Sequence, residues 1–186
     1  MSDRFVVAPI DLDLDGHPGA ILMLDWWRRE QERTGGRPRR QALDPVEFAH
    51  LVGAINLIER DPDGRLRFRI RGERIFATES AAGEPQFVDQ LEPASYRDII
   101  IRDYTEAMAS DLPSASRVTD LVQGHEPLIY RRLMLPLQGR TGAADSMLMF
   151  NPDSLDSGHR YHAHQVFMAL IRSARSLTRE SFLARS

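Results

Sequence analysis

Six histidines are spread over the 186 residues, and no cysteine accompanies them. Without thiols the chain has no disulfide, no thiolate nucleophile, no Cys-ligated zinc or iron–sulfur cluster, and no cofactor carried on a Cys sulfur. A flavin that signals through a cysteinyl adduct is excluded with them. The histidines cluster once, at His159, His162 and His164. On a helix the first two share a face and the third turns away. Asp153 and Asp156 are near in sequence, but no carboxylate stands at helical spacing to complete a ligand set. The cluster reads as the solvated start of a helix, not as a metal site. Haem requires an axial histidine aimed into a pocket. His50 falls on a short helix and His125 in a turn, while the best helix of the middle of the chain, 95–110, carries none.

Nucleophilic catalysis finds equally little to work with. There is no Gly-x-Ser-x-Gly elbow, and no serine is placed beside a base by its spacing. Asp11, Asp13 and Asp15 lie in an acidic N-terminal arm, where nothing in the sequence provides an environment that shifts a carboxylate. Arg65, Arg67, Arg69 and Arg71 form an alternating row that an anion or acidic partner would fit. A solvated sheet face paired with carboxylates such as Glu59 explains the row more simply. Trp26 and Trp27 have the area to stack on a ligand, but an amphipathic helix uses such aromatics chiefly for packing.

The bulk properties agree. Charged residues are 27% and hydrophobic residues 42%, as in ordinary soluble domains. All 24 basic residues are Arg, a bias that GC-rich bacterial codon usage produces. A net charge of −3 and a pI of 6.1 give no positive field for nucleic acid or anionic lipid. No apolar run approaches the roughly 18 residues of a membrane span. Met1–Asp15 lacks the basic and apolar regions of a leader. The expectation is a cytoplasmic protein without nucleic-acid or membrane partners.

The elements that must position these residues follow from periodicity and turn signals. Residues 1–17 read as an extended arm broken at Gly16–Gly19. Ile21–Arg33 has helical spacing and stops at Gly35-Gly36. Asp44-Pro45 supplies an N-cap and a first helical proline for a short helix. Ile55–Arg60 and Arg65–Arg71 are strands joined by Asp61-Pro62-Asp63-Gly64, a type I turn sequence. Alternation predicts Leu66, Phe68 and Ile70 on the core side. Ser95–Ser110 has an apolar stripe at Ile99, Ile100, Tyr104, Ala107 and Met108. Ser116–Val122, Leu128–Leu137 and Ser146–Phe150 are strands. A polar linker over 151–158 leads to a long helix, His159 to about Arg185. Two strands, then helices, then three strands favour an antiparallel α+β sheet over a doubly wound one.

Four segments add more than topology: Trp26-Trp27; Pro38-Arg39-Arg40-Gln41-Ala42-Leu43-Asp44-Pro45; Phe68-Arg69-Ile70-Arg71-Gly72; and Tyr130-Arg131-Arg132-Leu133-Met134-Leu135-Pro136-Leu137. In this order and spacing they resemble the motifs of bacterial stand-alone PAS-like proteins. The likeness covers roughly residues 20–150. It departs at Glu79–Pro85, where that family has a Gly-rich turn. The resemblance implies a five-stranded antiparallel sheet with a helical insert, flanked by N- and C-terminal helices. The division is then an arm at 1–20, the domain at 21–150, and linker and helix at 151–186.

It further implies a non-catalytic sensory or interaction role. A ligand-free dimerisation adaptor and a small-molecule enzyme on a similar scaffold are the alternatives. A ligand would lie between the inner sheet face and the insert, lined by Phe68, Ile70, Phe76, Phe87, Ile100, Tyr104, Leu133, Leu135 and Met147. These residues equally suit a filled core. Phe167, Leu170, Ala174 and Leu177 recur at coiled-coil spacing. With Trp26 or Trp27 they are the expected interface of a homodimer. No cofactor is assigned.

Overall fold

The computed structural model describes residues 5–72, 86–120, 129–139 and 145–155. Its centre is a six-stranded antiparallel sheet of β1 (Phe5–Pro9), β2 (Ile55–Arg60), β3 (Leu66–Ile70), β4 (Ser114–Asp120), β5 (Ile129–Leu137) and β6 (Ser146–Phe150). The spatial order is β1-β4-β5-β6-β2-β3. Helix α1 (Pro18–Thr34) covers one face and α2 (Ala94–Ala109) the other.

Local chemistry sets the element ends. His17 caps α1, its Nδ1 accepting from the Gly19 N–H at 3.1 Å, and Pro18 takes a position where a missing N–H costs nothing. Gly35, at φ 69°, closes the helix by donating to the Gln31 carbonyl. In the β2–β3 turn, Asp61 accepts from the N–H groups of Asp63 and Arg65, and Gly64 donates back to the Asp61 carbonyl at 2.9 Å. Asp44 accepts from the Val46 N–H, but the chain there makes a turn and then a 3-10 helix, Ala49–Ala54.

Both faces of the central strands are buried, so alternate residues feed two cores. The α1 side gathers Leu24, Trp26, Trp27, Phe48, Leu51, Leu57, Leu133, Leu135, Leu137, Leu148 and Phe150. The α2 side gathers Ile58, Leu66, Phe68, Val88, Ile100, Tyr104, Met108, Val118, Met134, Met147 and Met149.

Three sequence expectations change. The sheet has a sixth strand, because part of the supposed arm pairs with β4 from Phe5↔Asp120 to Pro9↔Ser116. Phe5 and Val7 alternate onto the α2 side, and the Phe5 ring meets Tyr96 at 5.3 Å. Ile70 does not join Leu66 and Phe68 in the core: a register shift between Leu57 and Ile58 leaves it 45% exposed. Within the stretch read as a polar linker, residues 152–155 form a 3-10 helix with Pro152, Asp153 and Ser154 buried. The C-terminal helix, with Phe167, Leu170, Ala174, Leu177 and the histidines from 159 to 164, lies outside the described residues, as do Phe76 and His125.

Candidate functional site

The α2-side core contains one residue that hydrophobic packing does not explain. Arg132 on β5 is fully buried. Its Nε donates to Ser116 Oγ on β4 at 2.9 Å, and its Nη2 donates to the Asp103 carboxylate on α2. The guanidinium carbon lies 5.0 Å from the centre of the Tyr104 ring. Among the described residues Nη1 has no hydrogen bond of ordinary geometry, although the Tyr104 hydroxyl also interacts with the guanidinium. Beside this group the hydroxyls of Tyr96 and Tyr130 are bonded to each other at 2.6 Å.

Burial governs the electrostatics. It pushes the phenols of Tyr96, Tyr104 and Tyr130 above their ordinary value. These groups therefore stay protonated at neutral pH and serve as hydrogen-bond partners, not as bases. Burial also raises the Asp103 carboxyl, against the opposing pull of Arg132. Arg132 remains a cation: burial opposes its charge, but a guanidinium holds its proton far above neutral pH and the Asp103 carboxylate pairs with it.

The sequence-selected lining residues divide between environments. Phe68, Ile100, Tyr104 and Met147 converge in the α2-side core, where the resemblance put a ligand. Leu133 and Leu135 do not: they lie on the opposite face, against α1. Ile70 is exposed. Phe87 is half-buried at an isolated bridge to Arg67, with the Arg65 guanidinium 3.7 Å above its ring.

Sequence reasoning missed Arg132 and Asp103, although a signal existed. Asp103 is three residues after Ile100 and four before Ala107, on the edge of the helix stripe. A carboxylate there faces the sheet and needs a cation opposite.

On the α1 side the four sequence motifs form one connected structure. Trp26 meets Phe48 edge-on at 5.7 Å, and Trp27 Nε1 donates to the Pro136 carbonyl at 2.9 Å. Gln138, just past β5, donates to the Pro38 carbonyl and accepts from the Arg40 N–H. Arg40 then bonds Glu59 on β2, whose other oxygen accepts from Arg69 at 2.5 Å. Just past β3 the Gly72 N–H donates to Oδ1 of Asn56, whose side chain lies on the α2 face of β2, and a Cβ at Gly72 would stand 2.4 Å from the Gly53 carbonyl oxygen. Only glycine fits there. Both tryptophans are 2% exposed and covered by their own chain, so neither presents its ring to a partner in this conformation. Of the Arg row, Arg65 pairs with Asp89 and Arg69 with Glu59, the arrangement of a solvated sheet face.

A third polar group joins the chain ends of the domain. Arg131, pointing to the opposite face from Arg132, binds Asp153 at 2.7 Å, Asp15 at 3.0 Å and the Leu14 carbonyl at 3.1 Å. His17 sits nearby. Its pKa is lowered by burial and by the Arg131 charge, with Asp153 partly opposing. Among the described residues, no group of three or more His, Asp or Glu is placed to hold a metal ion, and no helix is long and apolar enough to cross a membrane.

A family model described as a PAS domain matches residues 16–150. No curated protein matches the chain. Among solved structures, an RNA-binding light-oxygen-voltage receptor aligns with a TM-score of 0.38 and 13% identity, over 94% of this chain and 45% of that one. A cysteine-to-valine variant of the fungal photoreceptor VVD aligns with a TM-score of 0.37 and 17% identity, over 69% of this chain and 91% of that one. The chain thus spans less than half the length of the RNA-binding receptor.

Proposed function

The chain belongs to the PAS domain family, and from that premise we propose that it is a non-catalytic sensory module of bacterial cytoplasmic signalling, with its signal entering on the α2 side of the sheet. One observation carries this reading: a fully buried, incompletely bonded guanidinium stands in an otherwise methionine- and aromatic-rich core between sheet and helix. Ligand sites combine apolar walls with a few polar groups in this way, and methionine walls adapt to the shape of what they hold. Among the described residues the α1 side offers no comparable group, since Trp27, Arg40 and Glu59 are all engaged within the chain.

Two other readings are weighed against it. A ligand-free adaptor is favoured by the near-complete burial of Ile58, Ile100, Met108, Met134 and Met147, which fill much of this core with the chain's own atoms. An enzyme would use the titratable groups gathered around Arg132. Asp103 is held in an ion pair, however, and the phenols are pushed up, away from general-base work near neutral pH.

Native mass spectrometry of protein purified from its own host separates sensor from adaptor. A retained small molecule, lost on denaturation, is the expected result. A clean apo mass from several preparations leaves the adaptor.

A further inference from the structure

Among the described residues, two buried side-chain nitrogens on the α2 side have no hydrogen bond of ordinary geometry: Arg132 Nη1 and Asn56 Nδ2. Asn56 is placed on that face by its register opposite Met149, and Met149 stands opposite Met134 on β5. Its amide orientation is fixed from outside, because Oδ1 accepts from the Gly72 N–H. Nδ2 is therefore the free end. Arg132 is two residues before Met134 on the same face of β5. The two unbonded groups thus flank a row of methionines, separated by two strand spacings, on the order of 10 Å.

Both are donors. A guanidinium cannot accept, and an amide nitrogen does not. Buried donors left without acceptors cost free energy, more so when charged. An apolar side chain at position 132 would avoid that cost, as replacements of buried ion pairs show. The missing complement is a group that only accepts, and at the cationic end an anion fits best.

We infer that this core binds a small organic acid, with a carboxylate oxygen on Arg132 Nη1, an apolar body across Met134 and Met149, and a second acceptor atom reaching Asn56 Nδ2. The inference rests on the sensory reading and names its ligand class. Neighbouring groups favour it. The Tyr104 ring lies against the guanidinium, and the Tyr96–Tyr130 pair uses only one of its two hydroxyl hydrogens internally, so another donor stands near.

Three ligands test it on the full chain by isothermal titration calorimetry: octanoate, octanamide and ω-hydroxyoctanoate. Octanoate should bind at least about tenfold tighter than octanamide, the ratio expected of one charge-assisted hydrogen bond. The hydroxy acid should bind tighter still, and Asn56→Leu, which leaves neither donor nor acceptor for the hydroxyl, should remove that gain. Arg132→Gln should abolish the preference for acid over amide, and Arg132→Lys should keep part of it. Where a substitution unfolds the chain by circular dichroism, the wild-type acid-to-amide ratio decides alone. Equal affinities for acid and amide, or no binding of any of the three, overturn the inference. So does an experimental structure in which Nη1 bonds to an acceptor of its own chain. A neutral molecule retained from the host, with no acid bound, would refute the acid and keep the sensor. No retained molecule and no binding would end both.

Discussion

The indole nitrogen of Trp27 donates to the carbonyl oxygen of Pro136 at 2.9 Å, from a helix to a strand 109 residues away. β4 pairs with β5 only as far as Met134. Pro136 lies beyond that point, and its carbonyl finds its donor in α1. Trp27→Phe should keep most of the packing yet strand that carbonyl, at a cost of about 1–3 kcal/mol. Trp27→Ala should cost about 3–5 kcal/mol. Urea denaturation measures both, and equal small losses would show that the bond does not anchor the helix.

Phe68 and Ile70 lie two residues apart on one strand, but are 7% and 45% exposed. Phe68→Ala should destabilise by about 3–5 kcal/mol, while Ile70→Ala should change stability by less than about 1 kcal/mol. Comparable losses at the two sites would contradict the register shift at Leu57–Ile58.

The α1 cap should make stability depend on pH near neutrality. The folded-state pKa of His17 lies below its ordinary 6.5, first through burial and then through Arg131. Between the folded and unfolded values the unfolded chain holds more protons, so stability rises with pH. The contribution is complete above 6.5 and is lost as pH falls through the folded-state value. Protonation of Nδ1 would also remove the acceptor for the Gly19 N–H. His17→Asn, which caps without titrating, should flatten the wild-type slope between about pH 7 and 5. His17→Ala should lower stability by about 1 kcal/mol at pH 7. An unchanged slope in His17→Asn would remove His17 from the pH response.

The C-terminal seam remains a proposal from spacing alone. Phe167→Asp combined with Leu170→Asp, followed by light scattering and circular dichroism, should give a folded monomer if the helix pairs two chains. An unfolded product would mean that the helix packs in cis, and an unchanged dimer would place the interface elsewhere. Trp26 and Trp27 are each 2% exposed, so a contribution from either to such a seam would require α1 to shift from this conformation.

Local signals carried much of the fold. The Asp61–Gly64 turn, the Pro18 and Gly35 ends of α1, and strands β2 and β6 are encoded in short stretches whose side chains bond their own backbone or alternate cleanly. The motif residues were legible as a set, and Gly72 shows why: close approach to the Gly53 carbonyl admits no side chain. What the sequence could not carry was the side of the sheet each residue takes. β5 and β6 are buried on both faces, so alternation assigns Leu133 and Met134 to opposite faces without saying which is which. The family resemblance groups Leu133 and Leu135 with Met147, and the structure separates them. A register shift reverses parity further along β3 and turns Ile70 outward. The buried Arg132 is likewise a product of tertiary structure. An arginine on a strand is ordinarily solvated, and only the docking of α2 over β5, bringing Asp103 to its guanidinium, excludes water from it and leaves Nη1 without an acceptor.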